Sequence, residues 1–150
     1  MKFYLDTSVW GGYFDKEFED WTKPFFEQLR KGRFNAVISN ITFGELLSAL
    51  AYVRRLVESI PESYLEFVAL TEEHDKLANA YIKEGTLTKK FYSDAQHIAI
   101  ATVLKTDSLV SWNFKHMVNF FRIRQYNSVN LKLGYSTIDI RTPKEVIYEK

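Results

Sequence analysis

The sequence contains no cysteine. This absence excludes disulfide bonds, thiolate metal sites and a thiol nucleophile. Proline and glycine are also scarce, with three and six copies, and none of the prolines marks a linker. Neither an internal repeat nor a low-complexity tract interrupts the chain. We therefore expect one compact domain that spans residues 1–150.

The chain also lacks an excess of charge of either sign. Twenty Lys and Arg residues balance nineteen Asp and Glu residues, which leaves a formal net charge of +1. Strongly basic proteins bind polyanions through their overall charge. This chain must instead use local patches if it binds nucleic acid.

Long apolar runs are missing as well. No stretch is long and apolar enough to span a membrane, and the N-terminus has no basic segment followed by a long apolar one. We therefore expect a soluble, cytoplasmic protein without a membrane contact.

Hydrophobic residues make up 46% of the chain, and twelve Phe, nine Tyr and three Trp supply core volume. Their pattern alternates between strands and helices, which predicts an α/β fold with a parallel sheet covered on both faces. The predicted strands are 2–5, 35–39, 66–70, 108–112 and 137–140. The predicted helices are 15–31, 43–59, 71–84, 93–105 and 117–132, with a capped helix start at 142–145.

Three acidic residues each lie near the start of a predicted helix. Asp6 follows the first strand, Glu45 lies just inside the helix after the second strand, and Asp94 begins the strongly apolar helix. In a parallel sheet, these positions cluster at the carboxyl ends of the strands, where ligand clefts form. We therefore expect the three carboxylates to converge.

Helix capping is the alternative explanation for each acid. Thr42 and Glu45 have the spacing of a capping box, and Asp6 and Asp94 are common N-cap residues. Ser93 alone could cap the apolar helix, however, so packing leaves the Asp94 carboxylate unexplained. Considered together, the three acids favour a functional site.

Converging carboxylates repel one another, and a divalent cation removes that conflict. A set of oxygen ligands with open positions for water suits Mg²⁺ or Mn²⁺ better than Zn²⁺. Such a site is suited to the chemistry of phosphate esters.

The order and spacing of four segments resemble those of the PIN-domain nucleases. These segments are LDTSV at 5–9, the helix start that contains Glu45, DAQHIAIA at 94–101 and LVSWNFKHM at 109–117. The resemblance extends to IRTP at 140–143 and is strongest with the branch that includes VapC-type toxins. It implies a three-layer, Rossmann-like PIN fold with a central parallel sheet, and a metal-dependent ribonuclease that cleaves RNA with a metal-activated water.

The resemblance assigns the catalytic residues one by one. Asp6, Glu45 and Asp94 match the first three acids of the family and are the expected metal ligands. Asn113 occupies the fourth acidic position and is the remaining expected catalytic residue, which leaves open whether one or two ions bind. Asp107 is not a substitute, because it precedes the strand that Asn113 ends, up to about 20 Å away.

Hydroxyl and basic residues flank these acids. They could orient a carboxylate and hold substrate, or they could be ordinary caps, strand residues and solvent-facing side chains. The expected substrate-binding residues are Thr7, Ser8, Lys89, Lys90, Ser111, Lys115 and His116.

The other two histidines have simpler explanations. His97 lies on nearly the same helix face as Asp94, and we interpret it as a hydrogen-bonded core residue rather than a group that holds substrate or transfers a proton. His74 has acidic neighbours on both sides and is expected at the solvated surface.

Alternative functions remain open at this point. A phosphatase of the haloacid-dehalogenase type needs a second Asp two residues after the first, where this chain has Ser8. A catalytically silent PIN-like module that binds RNA or protein would explain Asn113 but not the three acids. If the chain is a toxin, the resemblance implies RNA as substrate, an antitoxin that blocks the cleft, and a homodimer.

Overall fold

The computed structural model describes residues 1–147, and a parallel β-sheet forms its centre. Within this range, five strands lie in the order β3-β2-β1-β4-β5, with parallel pairing throughout. The strands are β1 (Lys2–Leu5), β2 (Asn35–Ser39), β3 (Leu65–Val68), β4 (Ser108–Val110) and β5 (Ile140–Arg141). The order reverses between β1 and β4, and a cleft is expected at the carboxyl ends of these two strands.

Helices connect the strands and cover both faces of the sheet. The α-helices are α1 (Thr7–Gly12), α2 (Glu19–Arg30), α3 (Asn40–Glu45), α4 (Leu50–Glu58), α5 (Glu72–Lys83), α6 (Tyr92–Val103), α7 (Phe120–Lys132) and α8 (Pro143–Val146). Short 3-10 helices occupy Leu47–Ala49, Glu62–Tyr64 and Lys89–Phe91. In the described part of the chain, no helix is both long and apolar enough to cross a membrane.

Alternation along β1 divides the core into two apolar layers. Phe3 and Leu5 point to one side, where they join Trp10 of α1 and Phe25 of α2. Tyr4 points to the other side, where the apolar face of α6 packs with α5 and α7. The predicted α/β class with helices on both faces of a parallel sheet is therefore confirmed.

Several predicted boundaries were wrong. The helix predicted at 15–31 begins only at Glu19, because the Asp15 carboxylate accepts the backbone N–H of Glu17 and forms a turn first. Helix α1, which lies before that turn, was not predicted. Helix α7 begins at Phe120 rather than at 117, and the Asn119 side chain caps it. The capped helix start at 142–145 is confirmed.

The helix predicted at 43–59 is broken into three parts, and this moves Glu45. Helix α3 begins directly after β2 and ends at Glu45, so this acid lies at the C-terminal end of a helix rather than at its start. The capping box predicted between Thr42 and Glu45 is wrong. The Thr42 hydroxyl is buried without a hydrogen-bond partner, and Glu45 bonds to residues of other elements.

Candidate active site

Asp6 directly follows β1 and is only 3% exposed. Its two oxygens accept hydrogen bonds from the hydroxyls of Ser8 and Ser111, each at 2.6 Å. Burial raises the pKa of Asp6 above its usual value, and the nearby charge of Asp94 raises it further. The charge of His97 and the two serine bonds lower it, but they do not offset the effect of burial. The groups around Asp6 therefore do not fully offset the cost of burying its ionised carboxylate.

The two serines join the ends of β1 and β4. The Ser8 hydroxyl accepts the backbone N–H of Trp112 at 2.8 Å, and the Ser111 hydroxyl accepts that of Asn113 at 2.9 Å. Each hydroxyl therefore accepts from the backbone after β4 and donates to Asp6. This arrangement fixes the Asp6 carboxylate between two neighbouring strands.

Glu45 approaches from α3, and its side chain is 33% exposed. Its Oε1 atom lies 2.7 Å from the Thr7 hydroxyl and 2.6 Å from Nε2 of His97. Burial alone would raise the pKa of Glu45. The hydrogen bond and charge of His97, together with bonds from Thr7 and Ser93, lower it below its usual value. Glu45 is thus held as a carboxylate.

A buried chain of hydrogen bonds supports His97 from behind. Its Nδ1 atom lies 2.6 Å from the Tyr4 hydroxyl, which lies 2.7 Å from the Ser39 hydroxyl. Burial raises the pKa of Tyr4 far above its usual value, so this hydroxyl keeps its proton. Because a carboxylate only accepts, Nε2 of His97 donates to Glu45. Nδ1 accepts from Tyr4 when the ring is neutral and donates to Tyr4 when the ring is protonated, so the network fixes the orientation of the ring.

Asp94 lies in the first turn of α6, where the helix dipole favours a negative charge. Its Oδ2 atom lies 2.9 Å from Nδ1 of His116 and 3.5 Å from Nδ2 of Asn113. His116 is buried, and its ring centroid lies 4.1 Å from that of Phe91. A second acid is therefore paired with a histidine.

None of the three acids caps a helix through its side chain. Asp6 has the N-cap position of α1, but its carboxylate makes no capping bond. Phe91 has the N-cap position of α6, which places Asp94 inside the helix. Glu45 is the last residue of α3. The capping explanation is wrong for all three, because their carboxylates bond to side chains and not to the free backbone N–H groups of a helix start.

The structure brings most of the predicted site residues to the carboxyl ends of β1, β2 and β4. The residues that share this region through the contacts above are Asp6, Thr7, Ser8, Glu45, Asp94, Ser111, Asn113 and His116. Lys89, Lys90 and Lys115 are exposed, and Lys90 and Lys115 lie near the ring of Phe91, which contacts His116. Asp107 accepts the backbone N–H of Lys2 at the other end of the sheet, as expected.

Two histidines and a tyrosine make contacts in the site that the sequence did not predict. His97 is a buried, hydrogen-bonded residue as predicted, but it also binds Glu45 directly. The alternative in which His116 faces solvent is wrong, because the turn after Asn113 buries it against Asp94. Tyr4 was not predicted to have a role, since an inward-facing tyrosine of a buried strand carries no functional signal of its own.

The donor atoms of the three carboxylates are of the kind that binds divalent cations. The carboxylates offer only oxygen donors, as Mg²⁺ and Mn²⁺ prefer, and the raised pKa of Asp6 shows a carboxylate that a cation would stabilise. Within residues 1–147, however, no group of three or more His, Asp or Glu side chains is gathered closely enough to hold a metal ion. Glu45 and Asp94 are engaged with histidines instead, and an ion would compete with those bonds.

Comparisons with known proteins identify the family and the fold of the chain. A family model described as "PIN domain" matches residues 3–112. No curated protein matches the chain in sequence. A chain of VapBC2 from Rickettsia felis, solved bound to a DNA fragment from its promoter, superposes with a TM-score of 0.61 at 16% identity, covering 95% of this chain and 98% of that one.

A second solved structure has the same fold. VapC20 from Mycobacterium tuberculosis, described as a toxin that cleaves the sarcin-ricin loop, superposes with a TM-score of 0.55 at 14% identity. The match covers 74% of this chain and 89% of that one.

Proposed function

Because the chain belongs to the PIN domain family, we propose that it is a metal-dependent endoribonuclease that serves as the toxin of a toxin–antitoxin pair. The observation that supports this most strongly is the buried Asp6 carboxylate. Its pKa is raised by burial, and the charge of Asp94 from another element acts on it. A cluster of this kind is a candidate functional site, since catalysis needs charged groups that packing alone does not favour.

Asp6, Glu45 and Asp94 would hold a Mg²⁺ or Mn²⁺ ion after Glu45 and Asp94 turn from their histidine partners towards it. When bound, such an ion supplies an activated water and stabilises the charge on the departing oxygen of a phosphodiester. The protein's own groups position the ligands: two serines orient Asp6, and His97 orients Glu45. Asn113, beside Asp94, can donate its amide to a phosphate oxygen.

Three exposed lysines provide the attraction for RNA. Lys89 and Lys90 come shortly before Asp94 in the chain, and Lys115 follows Asn113 by two residues. Phosphate contacts from lysine position a nucleic acid without reading its sequence. These residues therefore fix where the substrate lies rather than which bond is cut.

The proposed biological setting is cytoplasmic, with one PIN domain per chain, a homodimer and a cognate antitoxin. The similarity in fold to VapBC2 and VapC20 motivates this setting. A groove of about 520 Å³ between α3 and α4 supports it, with a largely apolar lining that includes Phe43, Leu47 and Leu50. Such a groove suits the apolar face of a partner helix, and it lies next to Glu45.

Cleavage of a mixed cellular RNA pool tests the proposal. Purified protein is incubated with Mg²⁺, with Mn²⁺ or with EDTA, alongside Asp6→Asn and Asp94→Asn. We expect metal-dependent cutting that both substitutions abolish. Asp107→Asn is the matched control, because this acid lies at the other end of the sheet and should leave cutting unchanged. Cutting in EDTA, or cutting by either site variant, would contradict the proposal.

A catalytically silent RNA- or protein-binding module is the second candidate. The histidine bonds of Glu45 and Asp94, and the amide of Asn113 at the fourth acidic position, favour it. Such a module would neither cut RNA nor gain thermal stability from Mg²⁺ or Mn²⁺.

A further inference from the structure

Positive charge is concentrated in two segments beside the site. Segments 86–91 and 113–124 contain five Lys and Arg residues and no Asp or Glu. Since the whole chain has a net charge of +1, the rest of it carries −4. Although the net charge of the whole chain is close to zero, these two segments provide a local basic surface, which we call the basic face. Its cations are Lys89, Lys90, Lys115, Arg122 and Arg124.

The same segments expose phenylalanine rings. Phe114, Phe120 and Phe121 are 52%, 67% and 74% exposed, which is unusual for side chains of this size. The Phe120 and Phe121 rings contact each other edge to face at 5.4 Å, and the Arg124 guanidinium lies 5.7 Å from the centre of the Phe120 ring. Exposed aromatic rings interleaved with cations are typical of surfaces that bind single-stranded nucleic acid.

A chain of contacts connects the basic face to the acids. The Lys90 and Lys115 ammonium groups lie 5.6 and 5.8 Å from the centre of the same ring, that of Phe91. Phe91 contacts His116, and His116 contacts Asp94. Lys90 and Lys115, which belong to different segments, are therefore connected through Phe91 and His116 to Asp94, a proposed metal ligand.

Ring packing and a hydrogen bond fix the residues beneath this face. Phe114 follows Asn113 directly, and its ring lies 6.3 Å from that of Trp112, which stacks on Phe18 at 4.8 Å. The Arg122 guanidinium hydrogen-bonds the Thr86 carbonyl and so joins the two segments. A platform that is already ordered loses little entropy when a base stacks on it.

From this arrangement we infer that the basic face binds single-stranded RNA, with phosphates held by Lys90, Lys115 and Arg124 and unpaired bases stacked on the three exposed phenylalanines. The inference rests on the proposed ribonuclease function and names the surface that holds its substrate. A protein partner fits less well, because lysine is depleted in protein interfaces while the two segments contain three lysines and no acid. Duplex RNA fits less well because its bases are not free to stack.

Fluorescence anisotropy tests the inference without requiring cleavage. The full chain is titrated into a labelled single-stranded RNA of about twelve nucleotides, a length that one binding face can cover, in buffer with EDTA. We expect Phe114→Leu and the double variant Phe120→Leu/Phe121→Leu each to weaken binding about tenfold, because leucine keeps the apolar contact but cannot stack. Phe67→Leu is the matched control, since Phe67 is an exposed phenylalanine on edge strand β3.

Salt dependence tests the charged half of the inference. We expect Lys90→Gln/Lys115→Gln to reduce the slope of log affinity against log salt by about 1.4, the value for two phosphate contacts on a single strand. Lys132→Gln removes an exposed lysine that pairs with Glu84 and should leave the slope unchanged. Melting curves of all variants confirm that each remains folded.

Two results would overturn the inference. One is RNA affinity that is unchanged in both phenylalanine variants. The other is a Phe120→Leu/Phe121→Leu variant that dissociates a dimer in gel filtration while it binds RNA normally, which would make this face an interface between copies. Either result could occur together with normal RNA cutting, so the proposed function would survive it. Binding through this face without cutting would contradict the proposed function alone.

Discussion

The Nε2 atom of His97 lies 2.6 Å from Oε1 of Glu45, a residue more than fifty positions away in the chain. The other ring nitrogen lies 2.6 Å from the buried Tyr4 hydroxyl. His97 therefore links Tyr4 of β1 to Glu45 of α3 through hydrogen bonds. This relationship makes His97 a positioning residue of the candidate site.

A double-mutant cycle measures that coupling. His97→Leu and Tyr4→Phe should each lower the free energy of unfolding by about 1–3 kcal/mol, because each leaves a buried polar group without its partner. The double variant should lose less than the sum, by about 0.5–3 kcal/mol. Urea unfolding gives the values. Pairing His97→Leu with Tyr81→Phe, whose hydroxyl bonds to Asn130, should instead be additive.

Asp6→Asn should stabilise the metal-free protein at neutral pH. The folded-state pKa of Asp6 is raised, so its contribution to stability is complete below its ordinary pKa near 3.8 and is lost as the pH rises through the folded value. Removing the charge should raise Tm at pH 7, by about 2–4 °C for each 1 kcal/mol of unfolding free energy regained, and the gain should disappear as the pH falls towards 3.8. Calorimetry in EDTA checks this. A lower Tm at pH 7 would contradict the expected cost of burying this carboxylate.

Glu45→Gln should have the opposite sign. The folded-state pKa of Glu45 is lowered, so this acid contributes stability above its ordinary pKa near 4.5 and loses it as the pH falls through the folded value. We expect Tm to fall at pH 7 and the difference from wild type to shrink below pH 4.5. The effect should be modest, because a third of the side chain is exposed and solvent screens its charge. Equal losses at pH 7 and pH 4 would indicate lost packing instead.

Divalent cations should stabilise the folded chain. At a concentration of about one hundred times Kd, binding adds about 2.7 kcal/mol to the free energy of unfolding, which is several degrees in Tm. Mg²⁺ or Mn²⁺ should raise the Tm of wild type and of Asp107→Asn but not that of Asp94→Asn. A rise of the same size in Asp94→Asn would place the ion elsewhere.

Gly12→Ala tests the packing under Asn113. A Cβ atom at Gly12 would lie 2.9 Å from Cδ1 of Trp112, so the indole would have to move. Overpacking of this kind costs about 1–3 kcal/mol, and RNA cutting should fall as well, because Trp112 adjoins Asn113. Gly11→Ala is the matched control: nothing lies within 4 Å of the added atom, and alanine favours the helix. A Gly12→Ala protein as stable as wild type would show that the indole adjusts freely.

Much of the fold and part of the candidate site could be predicted from sequence. Apolar strands alternating with amphipathic helices indicate a parallel sheet, and Asp6 and Asp94 lie near the strand ends as expected. The prediction for Glu45 was wrong, because α3 begins directly after β2, with Ser39 at its N-cap and no side-chain capping bond, and Glu45 ends this helix.

The acidic partners of His97 and His116 could not be predicted, because these contacts are tertiary. His116 is buried by the turn that follows Asn113, and nothing in its neighbours along the chain indicates this. His74 was expected at the surface, yet it is buried and closes a capping box with Thr71. A Glu or Gln is the usual residue at that position, so the histidine gave no signal.

The bond from Ser111 to Asp6 joins residues 105 positions apart. During synthesis, the Asp6 strand leaves the ribosome long before the residues that orient its carboxylate exist. A nascent chain therefore has no complete site until most of its length has been made. The Asp6 carboxylate is therefore oriented only when β4 pairs with β1, after nearly three quarters of the chain has been made.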